Sequence, residues 1–100
     1  MREKETLEKE VELCLRREVE KRGGRCVKFL PDYARGWPDR LVLLPGGVLA
    51  WVELKRPRGG YVSPSQRVAH ETLRRLGQRV EIVLTKERAR ELVEELIRPE

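Results

Sequence analysis

Two short clusters in the chain carry residue types that can do chemistry together. They are Pro38-Asp39, and Glu53-Leu54-Lys55 at the end of the apolar run Val48-Leu49-Ala50-Trp51-Val52. Successive side chains of a strand point to opposite faces. Val48, Ala50, Val52 and Leu54 therefore share one face, and Leu49, Trp51, Glu53 and Lys55 the other. Charges beside a core are costly unless they are paired or bound to a metal. An ion pair between Glu53 and Lys55 would explain this strand taken alone. The preceding run, Leu41-Val42-Leu43-Leu44, changes that, because Pro45-Gly46-Gly47 is a turn that returns the chain as an antiparallel hairpin. The start of one strand then lies beside the end of the next, which brings Asp39 to Glu53 and Lys55. Two clustered carboxylates repel unless a cation sits between them. Hard oxygen ligands favour Mg²⁺ or Mn²⁺. Such an ion takes one or two carboxylates together with phosphate oxygens, an arrangement suited to phosphodiester hydrolysis. Lys55 would hold the attacking water or stabilise the extra negative charge of the transition state.

The elements that must position these residues follow from hydrophobic periodicity. Leu7, Val11, Cys14, Leu15 and Val19 recur at helical spacing, which predicts a helix over Glu3 to Arg22 stopped by Gly23-Gly24. Arg25 to Leu30 is a short strand ended by Pro31. Residues 31–38 form a loop. The strand Val48 to Lys55 is apolar on both faces, which predicts a central, covered position. A basic loop, Arg56-Pro57-Arg58-Gly59-Gly60, leads to a second helix that starts at Ser63-Pro64-Ser65-Gln66, with Ser63 as N-cap. Ala69, Thr72, Leu73 and Leu76 form its inner stripe, and Gly77 ends it. Val80 to Leu84 is a fourth strand. Thr85 caps a last helix through Ala89, Leu92, Val93, Leu96 and Ile97. The helix between the last two strands implies a crossover and a parallel pair. The expected class is α/β, a mixed sheet with helices on both faces.

Composition narrows the partners. With 100 residues the chain is expected to be a single domain over 1–100. Its core is modest, so a site must be shallow or lie between copies. The formal net charge is +5, with Arg dominant, which suits a polyanionic partner. Two cysteines, Cys14 and Cys26, and one histidine, His70, do not make a zinc pattern. Both cysteines lie in apolar patterns and are expected to be reduced core residues. His70 is expected to be a bland helix residue rather than a base. No apolar run is long enough for a membrane span and the charged N-terminus is not a secretory signal, so a cytoplasmic location is expected.

Pro38-Asp39 followed by Glu53-Leu54-Lys55 matches the PD-(D/E)xK nuclease signature. The order Gly36-Trp37-Pro38-Asp39-Arg40, Val52-Glu53-Leu54-Lys55, Ser63-Pro64-Ser65-Gln66, with a hairpin between the first two, resembles the virus-type replication-repair (VRR-NUC) branch of that superfamily. The resemblance runs from the first helix through the Val80 strand. It implies an αβββαβ restriction-endonuclease-like core, here with an extra C-terminal helix, and Mg²⁺- or Mn²⁺-dependent cleavage of DNA without a small-molecule cofactor. It implies Asp39, Glu53, Leu54 and Glu12 at the metal, with Glu8 as the alternative to Glu12. It also implies Gln66 in the active site, although a capping box would engage the same amide. Arg35, Arg40, Arg56 and Arg58 are expected to contact DNA, and Tyr33 and Tyr61 to stack on bases or sugars; Trp37 could stack likewise or equally be a packing residue. Small members of the family look like homodimers that cut Holliday-type branched DNA, in a bacterial or phage-infected cell. A flap or nonspecific nuclease within a phage or repair complex is the second expectation. A basic nucleic-acid-binding module without catalysis is the third.

Overall fold

The structure is a computed structural model that describes residues 3–30, 32 and 35–98, with side chains from residue 8 onward. Its elements, in chain order, are α1 (Glu3–Lys21), β1 (Arg25–Lys28), β2 (Arg40–Leu44), β3 (Val48–Leu54), α2 (Pro64–Arg75), β4 (Val80–Val83) and α3 (Lys86–Ile97). The four strands form one sheet in the order β1-β2-β3-β4. β1 and β2 pair antiparallel, as do β2 and β3, whereas β3 and β4 pair parallel. This is the expected mixed α/β sheet, with β3 inside it. Gly46 and Gly47 turn the hairpin at φ 85° and 77°, a region that glycine enters without steric cost.

Alternation along β3 divides the molecule into two layers. Val42, Leu44, Ala50, Val52, Leu54 and Val83 face Val11, Leu15 and Val19 of α1 and Ala89, Leu92 and Val93 of α3, forming the main core. Twelve buried residues at roughly 1.5–3 kcal/mol for a large aliphatic side chain make this the dominant source of stability. Cys14 and Cys26 are free, half-buried and packed against that core.

The opposite face receives α2, whose buried residues are Ala69, His70 and Leu73. Its cover is uneven. Glu53, at the end of β3, is 4% exposed, whereas Val27, Leu43 and Leu49, farther along the same face, are 43%, 38% and 37% exposed. β3 is thus interior in the sheet but covered on both faces only at the end that carries Glu53. No helix among the described residues is long and apolar enough to cross a membrane.

Candidate active site

The hairpin register builds the site. Arg40 pairs with Val52, and one step beyond that rung Asp39 stands against Glu53. The Leu54 main-chain N–H donates to the Asp39 carboxylate, and the charges of Asp39 and Glu53 act on each other. Lys55 follows the strand, and its N–H donates to the Val83 carbonyl at 3.1 Å, which fixes its backbone. Lys55 Nζ lies 3.8 Å from Glu53 Oε2. Asp39, Glu53 and Lys55 therefore converge, because the start of β2 and the end of β3 are the same end of one hairpin.

Burial dominates the electrostatics of this cluster. Burial pushes the Glu53 carboxyl up to about 7, with the Asp39 charge adding to the effect and Lys55 opposing it. Burial raises Asp39 as well, against the pull of Arg40 and of the Leu54 N–H. Asp39 Oδ1 and Glu53 Oε1 are both buried without a hydrogen-bond partner. Buried polar atoms are ordinarily satisfied, and each exception requires an explanation. A hard divalent cation is one, and the donor set fits it: two carboxylates and the main-chain carbonyl of Leu54, leaving positions for water and phosphate.

Glu12 approaches the site through Arg40. Its Oε2 lies 3.4 Å from Arg40 Nη2, and Arg40 Nη1 lies 3.6 Å from Asp39 Oδ2 and donates to the Asp39 carbonyl at 3.0 Å. The Arg40 side chain is only 12% exposed. Arg40 is thus a clamp between Glu12 and Asp39, not an open phosphate contact. Among the described residues no group of three or more His, Cys, Asp or Glu side chains comes close enough to hold an ion. Glu12 is here ion-paired with Arg40, itself in contact with Asp39. Glu8, the alternative, is exposed, though it lines with Glu12, Asp39, Arg40 and Leu54 one cleft of about 610 Å³.

Gln66 completes the cap of α2. Its Oε1 accepts from the Ser63 N–H at 3.0 Å while its own N–H donates to Ser63 Oγ at 3.2 Å, a complete capping box. An amide has one oxygen, and here the cap has taken it. The helix end still belongs to the site's architecture, because the loop before Asp39 rests on it. Gly36 has φ 79°, and a Cβ there would fall 2.5 Å from the Ser65 carbonyl oxygen. Trp37 packs with Phe29 and Trp51, with ring centroids 5.9 Å and 5.3 Å away, so it is a packing aromatic, not an open stacking platform.

Most of the remaining expected contacts are open to solvent. Arg35 and Arg58 are exposed, Tyr61 is 73% exposed, and Arg56 is half-buried with Nη2 3.5 Å from the Gly59 carbonyl. Tyr33 lies outside the described residues. His70, read from the sequence as a bland helix residue, meets the site directly. It is 2% exposed, and its Nε2, also unpartnered, faces Glu53 Oε1 at 3.8 Å. Burial, then the charges of Arg74 and Lys55, holds its pKa below the ordinary value. The signal was present: His70 stands between Ala69 and Leu73 in the inner stripe of α2, and alternation turns Glu53 toward that helix.

No family model matches the chain. It is 44% identical over 73 residues to a protein of Acyrthosiphon pisum secondary endosymbiont phage 1 named "Putative nuclease p44", covering 73% of this chain and 77% of that protein. A solved structure described as a VRR_NUC domain aligns with a TM-score of 0.80 at 32% identity, over 87% of this chain and 94% of the other. A second, described as a VRR_NUC domain protein, aligns with a TM-score of 0.72 at 18% identity, over 91% and 88% of the two chains, a likeness of fold alone.

Proposed function

The chain belongs to the VRR-NUC family, and from that premise we propose that it is an endonuclease that hydrolyses phosphodiester bonds of DNA with Mg²⁺ or Mn²⁺. The observation that carries this reading is the pair of buried, unpartnered carboxylate oxygens, Asp39 Oδ1 and Glu53 Oε1, beside Lys55. Asp39, Glu53 and the Leu54 carbonyl would hold the cation. When bound, it supplies Lewis acidity toward the phosphate and lowers the pKa of a water molecule.

The protein's own groups do the rest. Lys55 places a positive charge at the phosphate where negative charge builds up in the transition state. The α2 N-terminus, capped by Ser63 and Gln66, leaves main-chain N–H groups at a position that favours an anion. The Gln66 side-chain NH₂ is left to donate toward substrate, a narrower role than orienting through both ends of the amide. Arg35, Arg56 and Arg58 steer the backbone, and Tyr61 offers a ring to a base or sugar. Arg40 acts indirectly, by holding Asp39 in place.

Branched, Holliday-type DNA as substrate and a homodimer as the working form rest on the family resemblance. The open apolar stretch of sheet at Val27, Leu43 and Leu49 supports the dimer, since exposed apolar patches mark interaction surfaces. The test is cleavage of four-way junction, flap and linear duplex with Mg²⁺ or Mn²⁺, with Lys55→Ala as control and the mass in solution measured alongside. We expect junction cleavage by a dimer, about 10²–10³-fold slower in the variant, the order expected for loss of one group that stabilises the transition-state charge. Cleavage of flaps alone or of all DNA alike would favour the flap or nonspecific reading. Binding without cleavage of any nucleic acid would leave a non-catalytic module.

A further inference from the structure

We propose that His70 is a positioning residue for Glu53, donating from Nε2 to Oε1 and so turning the carboxylate toward the cation. This deepens the reading in which Glu53 holds the metal, and it rests on that reading. His70 Nε2 and Glu53 Oε1 are 3.8 Å apart, and both are buried without another partner. An unmade buried hydrogen bond costs about 1–3 kcal/mol per group. Two such orphans facing each other are complementary, because Nε2 donates in the charged ring and in the Nε2–H tautomer of the neutral one, and a carboxylate oxygen has lone pairs to spare. Closing the gap to hydrogen-bond range takes a shift of less than about 1 Å.

The support on each side makes the pairing specific. Lys55 Nζ stands 3.8 Å from the other oxygen, Oε2, so the carboxylate is held at both ends while each oxygen keeps a second lone pair for the cation. His70 is carried by a helix whose first turn is locked by the capping box and whose neighbours Ala69 and Leu73 are buried. A merely space-filling residue at this position would gain nothing from a polar edge. The arrangement is that of a ligating carboxylate whose orientation is set by a hydrogen bond from behind, the kind of support whose loss typically costs about 10–100-fold in metal affinity.

The test is Mn²⁺ binding to the whole chain without DNA, by calorimetry, for wild type, His70→Leu, His70→Gln and Glu53→Gln, with thermal melting of each. We expect His70→Leu to stay folded and to bind Mn²⁺ about tenfold or more weakly. His70→Gln, which restores a donor, should recover most of the affinity. A purely structural role would move the melting temperature of both variants and leave affinity intact, and wild-type affinity in His70→Leu overturns the proposal. If His70→Leu fails to fold, His70→Gln and the imidazole ¹⁵N spectrum of wild type decide. An Nε2–H signal that shifts on saturation with Mg²⁺ supports the pairing, and an unmoved spectrum overturns it. Loss of binding in Glu53→Gln alone separates the two claims. Undiminished binding there, or none in wild type, removes the metal reading and this inference with it.

Discussion

Glu53 concentrates the energetics of the site in one proton. Its folded pKa of about 7 lies above its ordinary 4.5, so the folded chain holds the proton more tightly than the unfolded chain. The resulting stability is complete below about pH 4.5, is lost as pH rises, and is gone above about 7. The span corresponds to about 3 kcal/mol. Asp39, also raised, acts in the same direction. His70, lowered, acts in the opposite one, since its contribution is lost as pH falls through 6.5 and below. The comparison with Glu53→Gln isolates Glu53. In chelator, the stability of the variant relative to wild type should rise by about 3 kcal/mol between pH 4.5 and 8 by denaturant unfolding. A flat difference would show that the carboxyl is not strained. The cation needs the ionised form, so Mn²⁺ affinity should climb about tenfold per pH unit below 7 and level off above it. At this scale the juxtaposition of Asp39, Glu53 and Lys55 was legible, because alternation and a hairpin turn fix it. The Glu12–Arg40–Asp39 clamp was not, since cross-element pairing of long side chains depends on rotamers that no periodicity encodes. Gln66 was ambiguous for a different reason: one amide satisfied two local rules.

The loop before Asp39 owes its place to an element it does not belong to. Gly36 sits at φ 79° directly against the first turn of α2, where a Cβ would meet main-chain atoms of Ser65 and Gln66. Gly36→Ala should therefore cost about 1–3 kcal/mol in stability. It should also lower kcat by more than the loss of folded protein explains, because the loop must lift and carry Asp39 with it. Equal losses in activity and folded fraction would argue that the loop contact is not part of the site. The elements themselves were readable from Ser63-Pro64 at the start of α2, from Pro45-Gly46-Gly47 and from the 3.6-residue stripe of α1. The strand ends were read longer than they are, as with Arg25 to Leu30 against β1 at Arg25–Lys28, because β-propensity persists past the last paired rung. That α2 would cover only one end of the open sheet face was not readable, since a helix's lateral placement depends on the whole packing arrangement.

At the scale of the molecule, a net charge of +5 sits on a small surface on which Arg35 and Arg58 are exposed. Association with DNA should weaken steeply with salt, as counter-ions are released from the phosphates. Arg58→Ala should reduce the slope of log K against log salt by about one, measured by fluorescence anisotropy in chelator. An unchanged slope would place Arg58 off the DNA path. The hairpin has a further consequence. Asp39 and Glu53 are distant in the chain and meet only when β2 and β3 are zipped to the last rung, Arg40 on Val52. A slip of one residue would turn Glu53 into the α1–α3 layer and dismantle the pair. A chain still emerging from the ribosome, or one mispaired, thus carries every catalytic side chain and no catalyst. For a chain of a nuclease family, correct folding is itself the safety catch.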